Sequence, residues 1–154
     1  MISDNSTQIL VINSSQQTVS ADAIVEEQDT FLLLGASPVI QESEESYVTL
    51  VKKMERQKPL EPGHIIVKGT NPVRFIAVNY NIENNPVCCE GWIKTSLQNI
   101  FRECRKRKIT SLLTPLPGTK YGKISKEFSM QLLTNALLDK QGNFPEKIFI
   151  IHES

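Results

Sequence analysis

The second half of the chain alternates short apolar runs with segments whose apolar residues fall at helical spacing, and this alternation constrains the fold most. The runs at Val73–Asn81, Ser111–Leu116 and Lys147–Glu153 are short and apolar, as buried strands are. Helical stripes lie between them, over Cys89–Lys108 and after a predicted N-cap at Ser125. Strands joined by right-handed helical crossovers lie parallel in one sheet. The sequence therefore predicts an α/β fold with a largely parallel sheet.

The first half adds further elements of the same kind. Three more runs have strand character: Thr7–Asn13, Asp22–Val25 and Gly63–Gly69. The run Thr30–Gly35 fits either a strand or a buried loop. A helix is predicted from the N-cap Ser43 to Arg56, because glutamates open it and basic residues close it. We find no repeat or linker and expect one domain over residues 1–154.

Charge and cysteine content limit the partners and the setting. The 17 basic residues balance the 17 acidic ones, which argues against nucleic acid as the main partner. No run approaches the roughly 18 apolar residues of a membrane span, and MISDNSTQ at the N-terminus lacks the pattern of a signal peptide. The three cysteines are few and odd in number. We therefore expect free thiols and a cytoplasmic protein.

Residues for catalysis or metal binding are poorly represented. The two histidines, His64 and His152, are far apart, and no Cys or His pair has the spacing of a zinc site. Cys88 and Cys89 precede a predicted helix, where a thiolate would be favoured, yet packing at the helix start is the better interpretation. The sequence thus predicts no catalytic residue, no metal and no cofactor, and it leans away from an enzyme.

The segment PLPGTKYGKISKE, Pro115–Glu127, is the strongest candidate for a binding site. It follows a predicted strand and precedes a predicted helix, and ligands of parallel sheets bind at the carboxyl ends of strands. Gly118 and Gly122 permit close backbone approach, and free N–H groups beside a helix start attract anions. Lys120 adds positive charge, and Tyr121 could cover a sugar or a base. The segment alone fits a plain turn equally well.

The order of the segments resembles the macro domain family over nearly the whole chain. The segments that carry the resemblance are ADAIV (Ala21–Val25), PGHIIVKG (Pro62–Gly69), RFIAVNYN (Arg74–Asn81), the helix from Cys89, TPLPGTKYG (Thr114–Gly122) and KIFII (Lys147–Ile151). The resemblance implies a three-layer α/β/α fold with a mixed, mostly parallel sheet. It also implies a cleft for ADP-ribose or a related nucleotide diphosphate. The ligand-binding residues it implies are Gly35, Ala36, Ser37, Pro117, Gly118, Thr119, Lys120, Tyr121 and Gly122.

Several family features are replaced in this sequence. The family follows its D-A-I-V strand with N-A-A-N, whereas Glu26, Glu27, Gln28 and Asp29 follow Val25 here. The asparagine of the hydrolytic members is therefore absent, so the resemblance implies binding without hydrolysis. Of the first glycine-rich phosphate loop only Gly35 remains, and Lys120 stands where many members have glycine.

These departures keep other functions open. Carboxylates at Asp22, Glu26, Glu27 and Asp29 would repel an anionic ligand if they faced the cleft, so weak binding is expected. The alternative is a degenerate macro-like scaffold or protein-interaction module that binds no nucleotide. The N-terminal domain of leucine aminopeptidases, which is not itself catalytic, has a similar fold. The region Glu26–Ser37 is expected to decide between these interpretations.

Overall fold

A six-stranded sheet and two helices make up the part of the chain that the structure, a computed structural model, describes: residues 7–13, 20–32, 60–83 and 87–152. The strands are β1 (Gln8–Asn13), β2 (Ala23–Asp29), β3 (Ile65–Lys68), β4 (Val73–Tyr80), β5 (Ser111–Pro115) and β6 (Lys147–His152). The helices are α1 (Glu90–Arg107) and α2 (Lys126–Asp139). The strand order across the sheet is β1-β6-β5-β2-β4-β3.

The sheet is mixed and mostly parallel, as predicted. Strands β1, β6, β5, β2 and β4 pair parallel to one another, and β3 lies antiparallel against β4. The prediction that the segments beginning at Asp22, Ser111 and Lys147 share one sheet is confirmed. Parallel pairing brings the carboxyl ends of β2, β4, β5 and β6 to a common edge, which is where α/β sheets bind ligands.

Strand β2 is longer than the predicted segment Asp22–Val25. It continues through four polar residues to Asp29, because Glu26, Glu27 and Gln28 pair with consecutive residues of β4. The register shifts between Gln28 and Asp29, where the pairing becomes irregular. Carboxylates have low intrinsic strand preference, but pairing with a central strand overrides that preference. The extension carries Glu27 to the common edge.

Both helices pack along the predicted apolar stripes, except that Phe128 at the start of the α2 stripe is exposed. The stripe of α1 is buried and consists of Ile93, Leu97, Ile100, Phe101 and Cys104. Helix α2 begins after the predicted N-cap Ser125, whose hydroxyl accepts the Phe128 N–H at 3.1 Å. Leu132, Leu133 and Leu137 of α2 are buried, and they share one core with α1 and with alternate residues of the central strands.

Some of the predicted elements lie partly or wholly outside the described residues. Residues Thr30–Leu32 form a turn directly after β2, whereas the rest of the run to Gly35 lies outside the described residues. The predicted helix from Ser43 to Arg56 lies outside them as well. Neither α1 nor α2, the helices of the described residues, is long and apolar enough to cross a bilayer.

Candidate functional site

Glu27 and the loop after β5 meet at the carboxyl edge of the sheet. The Glu27 Oε2 atom accepts the backbone N–H of Gly118 at 2.9 Å and the Asn79 side-chain amide at 2.6 Å. Its Oε1 atom accepts the Tyr80 hydroxyl at 3.0 Å. The loop that the sequence singles out for anion binding therefore donates its Gly118 N–H to a carboxyl group of the same chain.

Two hydrogen bonds, from Ser96 to Asn79 and from Asn79 to Glu27, connect the Glu27 carboxyl group to α1. The Ser96 hydroxyl of α1 lies 2.6 Å from Asn79 Oδ1, and both side chains are fully buried. Because Oδ1 of Asn79 accepts from Ser96, the amide nitrogen faces Glu27. Ser96, Asn79, Glu27 and Gly118 thus connect α1 to the loop through β4 and β2. Buried polar groups paired in this way specify one arrangement of the elements that carry them.

Burial and the polar neighbours of Glu27 shift its pKa in opposite directions. Burial is the largest influence and raises the pKa of Glu27, whereas hydrogen bonds from Asn79, Gly118 and Tyr80 and the charge of Lys120 act to lower it. Burial likewise raises the pKa of Tyr80, and the adjacent Glu27 charge adds to that effect. A carboxylate in this setting is costly to keep charged, so it depends on the three donors that surround it.

The two loop glycines are required by the packing of the protein itself. Gly118 has φ +79°, and a Cβ there would lie 2.5 Å from Ile93 Cδ1 and 2.8 Å from Ile124 Cδ1. A Cβ on Gly122 would lie 2.6 Å from the Cys88 Cβ and 2.7 Å from the Gly118 carbonyl oxygen. The close approach that these glycines permit is thus made by Ile93, Ile124 and Cys88 and by the Gly118 carbonyl, all of the same chain.

Accessibility increases along the loop from Pro117 to Tyr121. Pro117 is buried and Thr119 is half-buried, with its hydroxyl donating to the Leu116 carbonyl at 2.9 Å. Lys120 and Tyr121 are exposed, with the Lys120 Nζ 5.5 Å from the Tyr121 ring centre. The Tyr121 ring stands edge-on to Tyr80 at 5.5 Å. A depression of about 380 Å³ lies beside the loop and is lined by Pro115, Leu116, Thr119, Lys120, Ile124, Ser125, Lys126 and Ile151.

Six of the nine expected binding residues, at positions 117–122, lie in one loop after β5. The other expected residues, Gly35, Ala36 and Ser37, lie outside the described residues. Of the four carboxylates, Asp22 accepts the Thr110 N–H at 3.1 Å, and Glu26 pairs with Arg74 at 2.6 Å. Asp29 is fully buried and accepts the Phe31 N–H at 3.0 Å.

The importance of Glu27 could have been found from strand alternation. Ala23, Val25 and Glu27 are spaced two residues apart and therefore point to the same side of β2. Ala23 and Val25 belong to the helix-covered core, so Glu27 points toward that side too. Strand alternation thus distinguishes Glu27 from Glu26, whose side chain pairs with Arg74 instead.

The cysteines beside the site are packed. Cys88 is buried, and burial raises the pKa of its thiol to about 12, with a further contribution from the Glu27 charge. Burial also raises the pKa of the Cys104 thiol on α1 to about 12. Cys89 is the N-cap residue of α1 and makes no side-chain capping bond. Cys88 therefore stays protonated at neutral pH, which supports the packing interpretation over a nucleophile.

Similarity to known proteins lies in structure alone. No family model and no curated protein matches the sequence. The macrodomain of Thermus aquaticus DarG superposes with a TM-score of 0.66 and 16% identity over 95% of this chain and 99% of that chain. For the macrodomain of Mycobacterium tuberculosis DarG the TM-score is 0.68, with 15% identity over the same shares, 95% and 99%. An Oceanobacillus iheyensis macrodomain with ADP superposes with a TM-score of 0.67 and 12% identity over 99% of this chain and 86% of that chain.

The chain has the macrodomain fold. Identities of 12–16% fit a divergent sequence on that fold, and a fold by itself does not fix a function. Within this macrodomain fold, Glu27 lies in the segment where the resemblance expects N-A-A-N, and its side chain is bound by the loop of residues 117–122. No group of three or more histidine, cysteine or acidic side chains among the described residues is placed to hold a metal ion.

Proposed function

We propose that the chain binds ADP-ribose or a related nucleotide diphosphate weakly, through the loop of residues 117–122, without hydrolysing it. The observation that carries the proposal is the hydrogen bond from the Gly118 N–H to a carboxylate. A backbone N–H that holds an anion at the carboxyl edge of a parallel sheet has the chemistry that phosphate binding needs. The ligand class is further supported by the Oceanobacillus macrodomain, described with ADP and, as a mutant, with ADPR.

The exposed side chains of the loop supply the remaining recognition. Lys120, which carries a positive charge, is exposed and lines the depression beside the loop. Because that charge is exposed, its contact with a phosphate is screened by salt and contributes on the order of 1 kcal/mol. The exposed ring of Tyr121 offers an apolar surface for a sugar or a base. Affinity therefore rests on a few weak contacts.

The described side chains at this edge do not favour hydrolysis. Glu27 already accepts hydrogen bonds from Asn79, Tyr80 and Gly118, so its lone pairs are poorly placed to activate water. The neutral thiol of Cys88 is a weak nucleophile. Binding without turnover is consistent with both features.

A calorimetric titration with ADP-ribose at low salt tests the proposal. We expect a dissociation constant that is micromolar or poorer and that rises with added salt. Lys120→Gln should weaken binding about fivefold, in line with a contact of about 1 kcal/mol. Lys108→Gln, at the opposite end of α1 from the loop, is the matched control and should leave affinity unchanged. Absence of binding at millimolar ligand would contradict the proposal.

A second candidate function is a scaffold or protein-interaction module that binds no nucleotide. It is favoured by the packing of Gly118 and Gly122 against Ile93, Ile124 and Cys88, which uses internally the space that glycines leave open. The same titration separates the two functions, since a scaffold gives no ligand heat. A single domain and a cytoplasmic location remain part of the proposal for either function.

A further inference from the structure

We propose that Glu27 is the specificity-determining residue of this site: its carboxylate occupies the Gly118 N–H, so an anionic group binds the loop only where Glu27 is displaced or protonated. The inference rests on the proposed function and adds a selectivity to it. The charge that a ligand brings to the loop should determine its affinity. The affinity for an uncharged nucleoside should not depend on Glu27.

The geometry makes the two anions competitors. The Gly118 N–H is one donor, and its distance of 2.9 Å to Glu27 Oε2 is that of a good hydrogen bond. Gly118 is buried between Ile93 and Ile124, so its N–H cannot turn toward a second acceptor without moving those contacts. A phosphate that takes this N–H therefore leaves Glu27 without one of its donors.

Charge makes the competition costly. A phosphate near Glu27 would place like charges side by side in a partly buried site, where repulsion is stronger than in water. The titratable groups that interact with Glu27 in the described residues are Tyr80 on β4, Cys88 before α1 and Lys120 in the loop. Tyr80 and Cys88 have raised pKa values and stay neutral at neutral pH, so Lys120 is the one cation among these three.

Glu27→Gln removes the charge, retains the hydrogen bonds from Gly118 and Asn79, and reverses the one with Tyr80. The side-chain oxygen of glutamine can accept from Gly118 and Asn79, as Oε2 does now. Its amide nitrogen can donate to the Tyr80 oxygen, because a hydroxyl both donates and accepts. The fold should therefore survive the change. Glu26→Gln is the matched control: it removes the neighbouring charge, whose carboxylate pairs with Arg74 instead.

The experiment titrates ADP-ribose and adenosine into the wild type and both variants at two pH values. We expect Glu27→Gln to bind ADP-ribose about tenfold or more tightly than the wild type, and to bind adenosine equally. Wild-type affinity for ADP-ribose should rise as pH falls, with proton uptake seen as a dependence of the heat on buffer ionisation. Both effects should vanish in Glu27→Gln and persist in Glu26→Gln.

The outcomes separate this inference from the proposed function. Equal ADP-ribose affinity in the wild type and Glu27→Gln, without proton uptake, would overturn the role of Glu27 and leave weak binding standing. A gain in affinity that appears equally with Glu26→Gln would also overturn it, since the effect would then be long-range charge. No binding to any of the three proteins would overturn the proposed function and the inference together.

Discussion

Gly118→Val is expected to lower the free energy of unfolding by about 3 kcal/mol, the sum of backbone strain and overpacking. The residue has φ +79°, a conformation that a β-branched side chain adopts only at a cost. The first added atom would also meet Ile93 Cδ1 at 2.5 Å and Ile124 Cδ1 at 2.8 Å. Thermal unfolding should show the loss as a midpoint lower by roughly 10 °C.

Gly91→Ala is the matched control for this change. Gly91 lies in the first turn of α1, is exposed, and a Cβ there meets no atom within 4 Å. Alanine at this position should raise stability by about 0.5–1 kcal/mol, because glycine is a poor helix former. If Gly118→Val unfolds at the wild-type temperature, the close packing of the loop against α1 is refuted.

Glu27→Met is expected to cost about 3 kcal/mol, because donors that are now satisfied would be left buried without an acceptor. The affected groups are the Asn79 amide, the Tyr80 hydroxyl and the Gly118 N–H. Methionine is close to glutamate in length and leaves little room for a replacement water. Glu27→Gln should cost less, about 1 kcal/mol, since its oxygen can still accept from Gly118 and Asn79 and only the Tyr80 hydroxyl hydrogen loses its acceptor. Denaturant unfolding at neutral pH measures both values.

The pH dependence of stability supplies a second readout of the same residue. Because the folded state raises the pKa of Glu27, the folded protein holds this proton more tightly than the unfolded chain. The stabilisation is fully present below the unfolded-state pKa and is lost as pH rises through the folded-state pKa. Relative to Glu27→Gln, the wild type should therefore lose stability with rising pH across that window. A constant difference between the two proteins would contradict the raised pKa.

Local patterns in the sequence predict the class of the fold, an α/β fold with a largely parallel sheet. The stripe from Ile93 to Cys104 and the N-cap Ser125 are signals within one or two helical turns, and both are confirmed. The strands of the second half are confirmed for the same reason, since each is an apolar run of ordinary strand length. Strand β2 was predicted too short, because the pairing of Glu26–Asp29 with β4 is not visible in a polar run.

The sequence predicts the loop of the candidate site and its position in the fold, but not Glu27, the residue that the loop binds. Loop 117–122 follows β5 directly, and its place at the edge of the sheet follows from the parallel order. Its partner Glu27 lies 91 residues earlier in the chain, and no local pattern couples residues that far apart. The packing of Gly118 and Gly122 is equally non-local, because Ile93 and Cys88 approach the loop only after α1 docks on the sheet.

The most direct test of the central claim is the pH titration of the Gly118 backbone amide in proton–nitrogen correlation spectra. If this N–H is held by Glu27, its resonance should follow the ionisation of that carboxyl, with a midpoint above the usual range of a glutamate. The same resonance should be independent of pH across that range in Glu27→Gln. A Gly118 resonance that does not titrate in the wild type, or that titrates equally in Glu27→Gln, would contradict the account.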